Sequence, residues 1–511
     1  MTTETAWPVR PGPIRTGAIR AASATRTAIA SEWFFRALVA IFVANALIVA
    51  FAARHFLLYD EFFHFRIAEL YTGQWSPLIA DGSSVTGLGD VERSSSYLFH
   101  YLMSFPLRLG QAIGLDLHGQ VVLLRVICVV MAAGALPFFR RALTMIGVRP
   151  VLAHSALALF VLPPVVVFVA ATVNYDNLVL LLGSMFIVAA IRAYTAAEPN
   201  VRALAALVVV GCAASLAKVS FLPVFAAAVL LILIREIHLG RVEGVRARWS
   251  ASVLPALRSP WTWIVGSLLV VLVVLFVERM FGNILFYGTP DPDCARVQTE
   301  ELCRTYGVWR RNEALAAAAP DAAPSLGGVL VYLSGTWLPQ SVLTALVVGG
   351  ETAQGVRTSS GTLLAQSLLP SIVAIATFLG LLMITKVARN AGARIVLVMA
   401  AAYIGLLFAT NYRLALEYGV ALAIQSRYLL LFLPFVIGAA VVALGRALDA
   451  MQRSPWAWKL MFVLLAVAGA LQGAGAIGYL IGSDQTWIAD TFFTPVVAPL
   501  RALVAAFVIG A

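Results

Sequence analysis

Long apolar segments recur along the whole chain and constrain its fold more than any other feature. The first runs from Trp33 to Ala53, and similar segments follow up to the last residues of the sequence. Of the 511 residues, 61% are hydrophobic and only 12% are charged, whereas ordinary globular chains are about a quarter charged. Segments of about 20 apolar residues match the bilayer core and must be helical to satisfy their backbone hydrogen bonds. The sequence therefore predicts an all-α polytopic membrane protein with about 11 to 13 transmembrane helices.

The charge balance agrees with this class. The chain carries 36 basic and 25 acidic residues, a formal net charge of +11. The basic residues concentrate in short loops, where an excess of Arg and Lys marks the cytoplasmic side. Four arginines precede the first span and place the N-terminus in the cytoplasm. No soluble segment is long enough for a nucleic-acid-binding domain, so nucleic acid is not a predicted partner.

The sequence predicts one membrane domain preceded by a short tail. Residues 1–32 are rich in Pro, Arg, Ala and Thr and are expected to form a disordered cytoplasmic tail. Residues 33–511 form the transmembrane domain, with an outer loop at 54–119 and a second, cysteine-containing outer loop at 282–326. No internal repeat is visible.

Both outer loops carry local signals. Residues 60–70 and 97–113 are amphipathic and aromatic, which predicts helices that lie in the membrane interface. The alternative is that residues 97–113 span the bilayer, in which case every later orientation inverts. Cys294 and Cys303 lie together in the second loop, and a disulfide between them would agree with an oxidising, extracytoplasmic side.

Some apolar segments have particular interpretations. Residues 151–171 are predicted to form one span. Residues 204–234 are too long for one span and hold Lys218 in the middle, so they are predicted to form a hairpin with Lys218 at its outer turn. Residues 327–348 are weakly apolar and are predicted to be re-entrant. Further spans are predicted at 368–384, from 459 and from 492.

On this topology, polar residues of mixed sign collect at the outer edge of the membrane, which marks a functional site. They include Asp60, Glu61, His64, Asn174, Asp176, Lys218 and Arg427. Asp60 and Glu61 are the candidate catalytic residues, because a carboxylate there can deprotonate an acceptor hydroxyl. Adjacent residues on a helix point about 100° apart, so only one of them is expected to be the base. The alternative is that Asp60 caps the following helix and Glu61 complements its dipole.

The other candidates suit substrate binding. Lys218 and Arg427 fit a phosphate or pyrophosphate on a lipid, Lys as a point charge and Arg as a bidentate fork. The alternative for both is a cation that snorkels to the membrane surface. Asn174 and Asp176 resemble a helix cap and would also suit a sugar hydroxyl.

His64 lies four residues after Asp60, on the same helix face. It is expected to position substrate. A divalent metal between these two side chains is the alternative, but two ligands do not make a site, so no metal and no other cofactor is predicted. Phe62, Phe65 and Tyr97 are expected to form an apolar floor for a lipid chain.

Four short motifs resemble a bacterial family of membrane proteins in the GT-C glycosyltransferase superfamily. They are DEFFHF at 60–65, NYD at 174–176, AKVSFLP at 217–223, and QSRYL at 425–429 with Pro434 after it. Their order and spacing agree with the family over most of the chain. The sequence departs from the family pattern at Val219, where Pro is expected, and at Ser426, where Gly is expected.

The resemblance implies a GT-C fold and a polyprenyl-phosphate-linked sugar as donor. It implies that Asp60 is the base and that Lys218 and Arg427 contact the carrier phosphate. Tyr428, in the last motif, is a further substrate-binding candidate.

These observations predict an inverting glycosyltransferase of the GT-C type, a hexosyl- or pentosyltransferase in a bacterial inner membrane. It would move a sugar from a polyprenyl-phosphate donor to a cell-envelope glycan or glycolipid on the outer face. One alternative is a transporter or flippase for a lipid-linked sugar, but transporters place polar groups near the midplane and commonly have repeats. Another alternative is a non-catalytic assembly subunit, for which Asp60 and Lys218 would be dispensable.

Overall fold

The computed structural model describes most of the chain between residues 24 and 450. Within that range it leaves out 55, 58–59, 80–84, 245–248, 250–257, 259, 320–324, 347, 352–356 and 361–388, and beyond it describes only a few isolated residues. The spans predicted at 368–384, from 459 and from 492 lie outside the described residues, as do residues 1–23 of the predicted tail. Residues 24–30 of that tail are helical rather than disordered.

The described chain is helical almost throughout and contains six helices that are long and apolar enough to cross a membrane. The transmembrane and outer-loop helices of the first half are α1 (Glu32–Ala52), α2 (Glu61–Thr72), α3 (Leu98–Ala112), α4 (Leu117–Met145), α5 (Pro150–Val161), α6 (Pro164–Ala170), α7 (Asp176–Thr195), α8 (Val201–Ala217) and α9 (Leu222–Glu243). These elements confirm the predicted class, a helical polytopic membrane protein.

The second half is less regular. Its elements are α10 (Pro260–Phe276), a π-helical turn (Val277–Phe281), α11 (Gly282–Tyr287), α12 (Cys294–Val297), α13 (Glu300–Cys303), α14 (Gly307–Ala318), α15 (Leu326–Tyr332), a π-helical turn (Leu333–Trp337), α16 (Leu338–Leu346), β1 (Val348–Glu351), β2 (Arg357–Ser360), α17 (Ala391–Tyr418), a 3-10 turn (Ser426–Leu429) and α18 (Leu433–Ala450). The strands β1 and β2 pair antiparallel, and this ribbon is absent from the all-helical prediction. The segment expected to be re-entrant is a helical run, α15 to α16, that contains a π-helical turn.

The span predicted at 151–171 is broken, which corrects the sequence prediction. Its two parts, α5 and α6, meet at an angle of 75°. The Pro163-Pro164 pair lies at the break, where proline removes a backbone donor and restricts the preceding residue. All seven residues of α6 are buried, so the short helix carries the chain through the protein interior to the turn before α7.

The break between two helices predicted at Lys218 is confirmed, although the second helix is long enough to be a span by itself. Helix α8 ends at Ala217, Lys218 is extended, and α9 begins at Leu222 after one 3-10 turn. Pro223 lies in the first turn of α9, where its missing N–H costs nothing.

The loop at 54–119, which the sequence predicts to be the first outer loop, contains two short helices that pack on each other, α2 and α3. With 15 residues, α3 is about 22 Å long, shorter than the bilayer core of about 30 Å. Its length therefore agrees with an interfacial helix rather than a span.

The second outer loop folds against the first. Cys294 and Cys303 form the predicted disulfide, with their Cα atoms 5.7 Å apart. The Nδ2 atom of Asn283 donates to Arg93 O at 2.8 Å, and Gln298 Nε2 donates to Glu92 Oε2 at 2.6 Å. The two outer loops therefore lie on the same side of the helix bundle.

Candidate active site

Four separate segments meet at one end of the bundle and bring most of the predicted site residues together. They are the start of α2 with Asp60, the start of α7 with Asp176, the turn between α8 and α9 with Lys218, and the 3-10 turn with Arg427 and Tyr428. Each lies at the end of a helix or in a short turn, as expected for polar groups at the membrane edge.

The charged side chains form one network. The Lys218 Nζ atom lies 2.5 Å from Asp176 Oδ1. Arg427 lies between the two carboxylates, with Nη2 at 2.9 Å from Asp60 Oδ2 and Nε at 3.9 Å from Asp176 Oδ2. Two anions and two cations are thus balanced within a few ångströms.

The members of this network differ in their access to solvent. The side chain of Asp60 is 60% exposed, whereas those of Asp176 and Lys218 are 8% exposed and that of Arg427 is 3% exposed. Asp60 therefore lies at the solvent-exposed entrance of the site, and the two cations lie in its buried interior.

Two tyrosine rings enclose the ammonium group of Lys218. The Nζ atom lies 4.6 Å from the ring centre of Tyr175 and 4.3 Å from that of Tyr428. Such cation–π contacts stabilise a desolvated cation. Tyr428 was a sequence candidate, but Tyr175 was missed as a site residue, although its position between Asn174 and Asp176 was a signal for it.

Asp60 does not act as a helix cap. Its side chain makes no capping hydrogen bond, and its backbone is in the left-handed region, with φ +65°. A left-handed conformation costs a non-glycine residue about 1–2 kcal/mol, although Asp tolerates it better than most. Backbone strain of this kind is common at functional sites, and here it turns the carboxylate toward Arg427.

Glu61 has a different environment from its neighbour. It is fully buried and forms a bidentate ion pair with Arg125, with Nε–Oε1 at 2.9 Å and Nη2–Oε2 at 2.7 Å. The backbone N–H of Val173 donates to Oε1 at 2.9 Å, and that of Leu57 donates to Oε2. Both oxygens thus accept two hydrogen bonds each, which leaves this carboxylate unsuited to take a substrate proton.

Arg125 also hydrogen-bonds to the backbone at the end of α1. Its Nη1 atom donates to the carbonyls of Ala50 and Ala53, at 3.0 and 2.8 Å. The pair therefore ties α4 to the end of α1, the start of α2 and the turn before α7. The contacts of Glu61 and Arg125 thereby hold the segments that carry Asp60 and Asp176 near each other.

His64 is the first member of a buried hydrogen-bonded chain. Its Nδ1 atom lies 2.9 Å from His100 Nε2, and His100 Nδ1 lies 3.1 Å from the carbonyl oxygen of Ser96. Because a carbonyl only accepts, His100 Nδ1 carries the proton and its Nε2 accepts from His64. His64 Nε2 is then left as a hydrogen-bond acceptor. His100 was not found from the sequence, because nothing there links it to His64.

Burial keeps both imidazoles neutral. It lowers the pKa of His100 to about 3. The pKa of His64 is lowered well below its ordinary value by burial first and then by His100, Arg427 and Lys218. Because both rings are neutral, His64 Nε2 offers a lone pair to a hydrogen-bond donor and adds no third positive charge beside Lys218 and Arg427.

Asn174 orders the turn before α7 but is not its cap, because the N-cap residue is Tyr175. Its Oδ1 atom accepts from the backbone N–H of Asp176 at 2.8 Å, and the side chain is fully buried. Asn177 completes the turn, with Nδ2 donating to Val169 O at 2.7 Å. Asn174 therefore shapes the segment that presents Asp176.

The apolar floor expected from Phe62, Phe65 and Tyr97 is largely wrong. Phe65 and Tyr97 are 2% and 1% exposed, so their rings pack inside the protein and do not reach a ligand. Phe62 is exposed.

Among the described residues, no group of three or more His, Cys, Asp or Glu side chains is arranged to hold a metal ion.

The fold and the site together define a polytopic helical membrane protein with a charged, partly open site at one end of its helices. No protein-family model matches the sequence, and no curated protein matches it.

Two solved structures show a distant likeness to this chain. ArnT from Cupriavidus metallidurans, in the apo state, has a TM-score of 0.41 and 14% identity over 84% of this chain and 63% of its own. The oligosaccharyltransferase AglB from Archaeoglobus fulgidus, with an inhibitory peptide and a dolichol-phosphate, has a TM-score of 0.43 and 12% identity over 89% of this chain and 57% of its own. The chain thus spans less than two thirds of either protein. Likenesses this distant assign no substrate or reaction.

Proposed function

We propose that the chain is an inverting glycosyltransferase that uses a polyprenyl-phosphate sugar as donor. The observation that carries the proposal is one charged network at the end of the helices. In it the buried cations Lys218 and Arg427 both lie at Asp176, and Arg427 also pairs with the exposed carboxylate of Asp60. A phosphate leaving group needs positive charge, and an attacking hydroxyl needs a base. The site holds both within one network.

Asp60 is the base in this proposal. The acceptor hydroxyl gives its proton to Asp60 as its oxygen attacks the anomeric carbon. The bond from that carbon to the phosphate oxygen breaks, and the lipid phosphate leaves with the electron pair. Lys218 and Arg427 stabilise the added negative charge. Attack opposite to the leaving group inverts the anomeric configuration.

The ion pairs of the site fit this scheme. The donor phosphate competes with Asp176 for Lys218 and with Asp60 for Arg427, because all three are anions. Binding of the donor then frees the Asp60 carboxylate for the acceptor. The acceptor we propose is a cell-envelope glycan or glycolipid on the outer face of a bacterial inner membrane.

The function is tested with the purified full chain in vesicles. Transfer of radiolabelled sugar is measured from a panel of polyprenyl-phosphate sugars to membrane glycolipid acceptors, and the anomeric configuration of the product is determined by NMR. We expect transfer from one donor with inversion. Retention of configuration would contradict the mechanism, and movement of intact donor across the bilayer without transfer would indicate a flippase.

Removing either cation is expected to weaken donor binding. Lys218→Met and Arg427→Gln each remove a charge-assisted contact worth about 1.5–3 kcal/mol, so we expect the donor KM of the folded protein to rise by about 10- to 100-fold. Lys218→Met is also expected to lower the thermal midpoint, because it leaves the buried Asp176 carboxylate without its closest cation. Initial rates against donor concentration measure it, after thermal unfolding in detergent has shown intact protein. Arg413→Gln is the matched control, because Arg413 is an exposed cation on α17. An unchanged donor KM in both site variants would refute the phosphate contact.

Two replacements of His64 distinguish the hydrogen bond of its Nδ1 atom to His100 from a substrate contact at its Nε2 atom. Asn places an amide near the Nδ1 position and keeps the bond to His100, whereas Gln places its carbonyl near Nε2. If Nε2 accepts from a substrate hydroxyl, we expect His64→Asn to remain as stable as wild type and to lose about fivefold in kcat/KM, the effect of one hydrogen bond. His64→Gln is expected to keep more activity and less thermal stability. The opposite order would make His64 purely structural.

A further inference from the structure

The disulfide loop places one aromatic side chain beside the proposed base. Tyr306 follows Cys303 by three residues, and its backbone N–H donates to Cys303 O at 2.9 Å. The Cys294–Cys303 bond closes the segment immediately before it. The position of Tyr306 is therefore tied directly to the cross-linked part of the loop.

The Tyr306 ring is held between two parts of the first outer loop. It stacks on Phe63, with ring centres 5.5 Å apart and an angle of 26° between planes. On another side it lies against Gly89, where an added Cβ would come within 2.8 Å of the ring. Gly89 also has φ +70°, so glycine is required there twice over. The Tyr306 ring is thus packed closely between Phe63 and Gly89.

A neighbouring hydrogen bond fastens this contact. The backbone N–H of Gly87 donates to Thr305 Oγ1 at 2.9 Å, and the same hydroxyl donates to Leu302 O at 2.6 Å. The first outer loop and the disulfide loop are thereby joined next to Tyr306.

Tyr306 lies on the Asp60 side of the site. Phe63 lies in the first turn of α2, and Asp60 immediately precedes that helix. The carboxylates of Asp90 and Asp60, and more weakly the guanidinium of Arg311, act electrostatically on the buried Tyr306 phenol. The charged groups that act on this phenol most strongly are thus acidic, while the cations that suit phosphate, Lys218 and Arg427, lie with Asp176 deeper in the site.

We infer that Tyr306 forms a wall of the acceptor subsite and that the disulfide loop holds it there. This inference rests on the proposed function, since a base marks the place of the acceptor hydroxyl. The acceptor it fits is an uncharged carbohydrate. The C–H face of a sugar ring packs on the aromatic ring, and the phenol hydroxyl is available to sugar hydroxyls. The carboxylate of Asp60 disfavours a phosphate group directly beside it.

The first test separates acceptor from donor binding in the full membrane-embedded chain. We expect Tyr306→Leu to raise the acceptor KM by at least tenfold and to leave the donor KM within twofold of wild type. Tyr306→Phe keeps the ring and is expected to raise the acceptor KM by only two- to fivefold. Tyr287→Leu, on the same outer loop, is the matched control. An acceptor KM unchanged in Tyr306→Leu, with transfer intact in wild type, overturns the inference alone.

The second test concerns the disulfide and Thr305. The double variant Cys294→Ser/Cys303→Ser and the variant Thr305→Val keep Tyr306 but loosen the loop, so both are expected to raise the acceptor KM. Combining the cysteine changes with Tyr306→Leu is expected to add little, because neighbours that act through one contact are not additive. Full additivity, or a loss of thermal stability with an unchanged acceptor KM, overturns the positioning role of the disulfide. Absence of transfer in wild type with every donor would instead count against the proposed function.

Discussion

Asp60→Asn is expected to abolish transfer while the protein stays folded. General base catalysis contributes about 10²- to 10⁴-fold, and an amide cannot take the proton, so we expect a loss of that size in kcat. The replacement is conservative in every other respect. Asn has the same shape, tolerates the left-handed backbone at this position, and still accepts a hydrogen bond from Arg427.

The measurement is single-turnover transfer of labelled sugar at saturating donor, at equal amounts of folded protein. Glu69→Gln is the matched control, because Glu69 is an acidic residue on α2, the helix that follows Asp60, and pairs with Arg66. The donor KM of Asp60→Asn is expected to stay equal or fall, because one competitor of the phosphate for Arg427 is weakened. Turnover retained at the wild-type rate would show that Asp60 is not the base.

Glu61→Gln is expected to give the opposite result, loss of stability rather than loss of chemistry. Breaking one partner of a buried ion pair costs about 3–5 kcal/mol, because the other charge remains buried without compensation. In this chain the stranded group would be Arg125, whose side chain is 1% exposed. We therefore expect a lower yield and a much lower midpoint of thermal unfolding in detergent, with a similar effect for Arg125→Met.

The double variant Glu61→Leu/Arg125→Met is the informative control. It removes both charges, so it is expected to be more stable than either single variant. It should still be less stable than wild type, because the N–H groups of Leu57 and Val173 lose their acceptor. If Glu61→Gln were as stable as wild type and inactive, Glu61 rather than Asp60 would be the catalytic residue.

Two adjacent acids would then have separate tasks. Glu61 and Arg125 join α1, α2, α4 and the turn before α7, and thereby build the place in which Asp60 works. An Asp60 variant is expected to lose activity, whereas a Glu61 variant is expected to lose folded protein. Measuring activity per folded molecule distinguishes the two effects.

Much of the fold follows from local signals in the sequence. The length and hydropathy of the apolar segments predict spans such as α4 and α7, because a helix must match the bilayer thickness. The cost of a charge at mid-membrane predicts the turn at Lys218. The amphipathic pattern predicts the interfacial helices α2 and α3. One local signal was underestimated, the Pro163-Pro164 pair that bends the third apolar segment.

The sequence also located the residues that the structure brings together. Asp60, Asp176, Lys218 and Arg427 were placed on one side of the membrane from the order of the spans alone, and they form one network. Side assignment needs only the count of crossings, so it survives errors in individual helix boundaries.

Only the tertiary structure decided the role of each residue, because roles depend on partners distant in the chain. Glu61 and Asp60 are adjacent, yet one meets Arg125 and the other Arg427, 367 residues away. The partner of His64 is His100, and the Tyr306 ring packs against Phe63 and Gly89, more than 200 residues earlier in the chain. Hydropathy and charge patterns report the environment of a segment, whereas a hydrogen bond or ion pair depends on side-chain directions within a few ångströms.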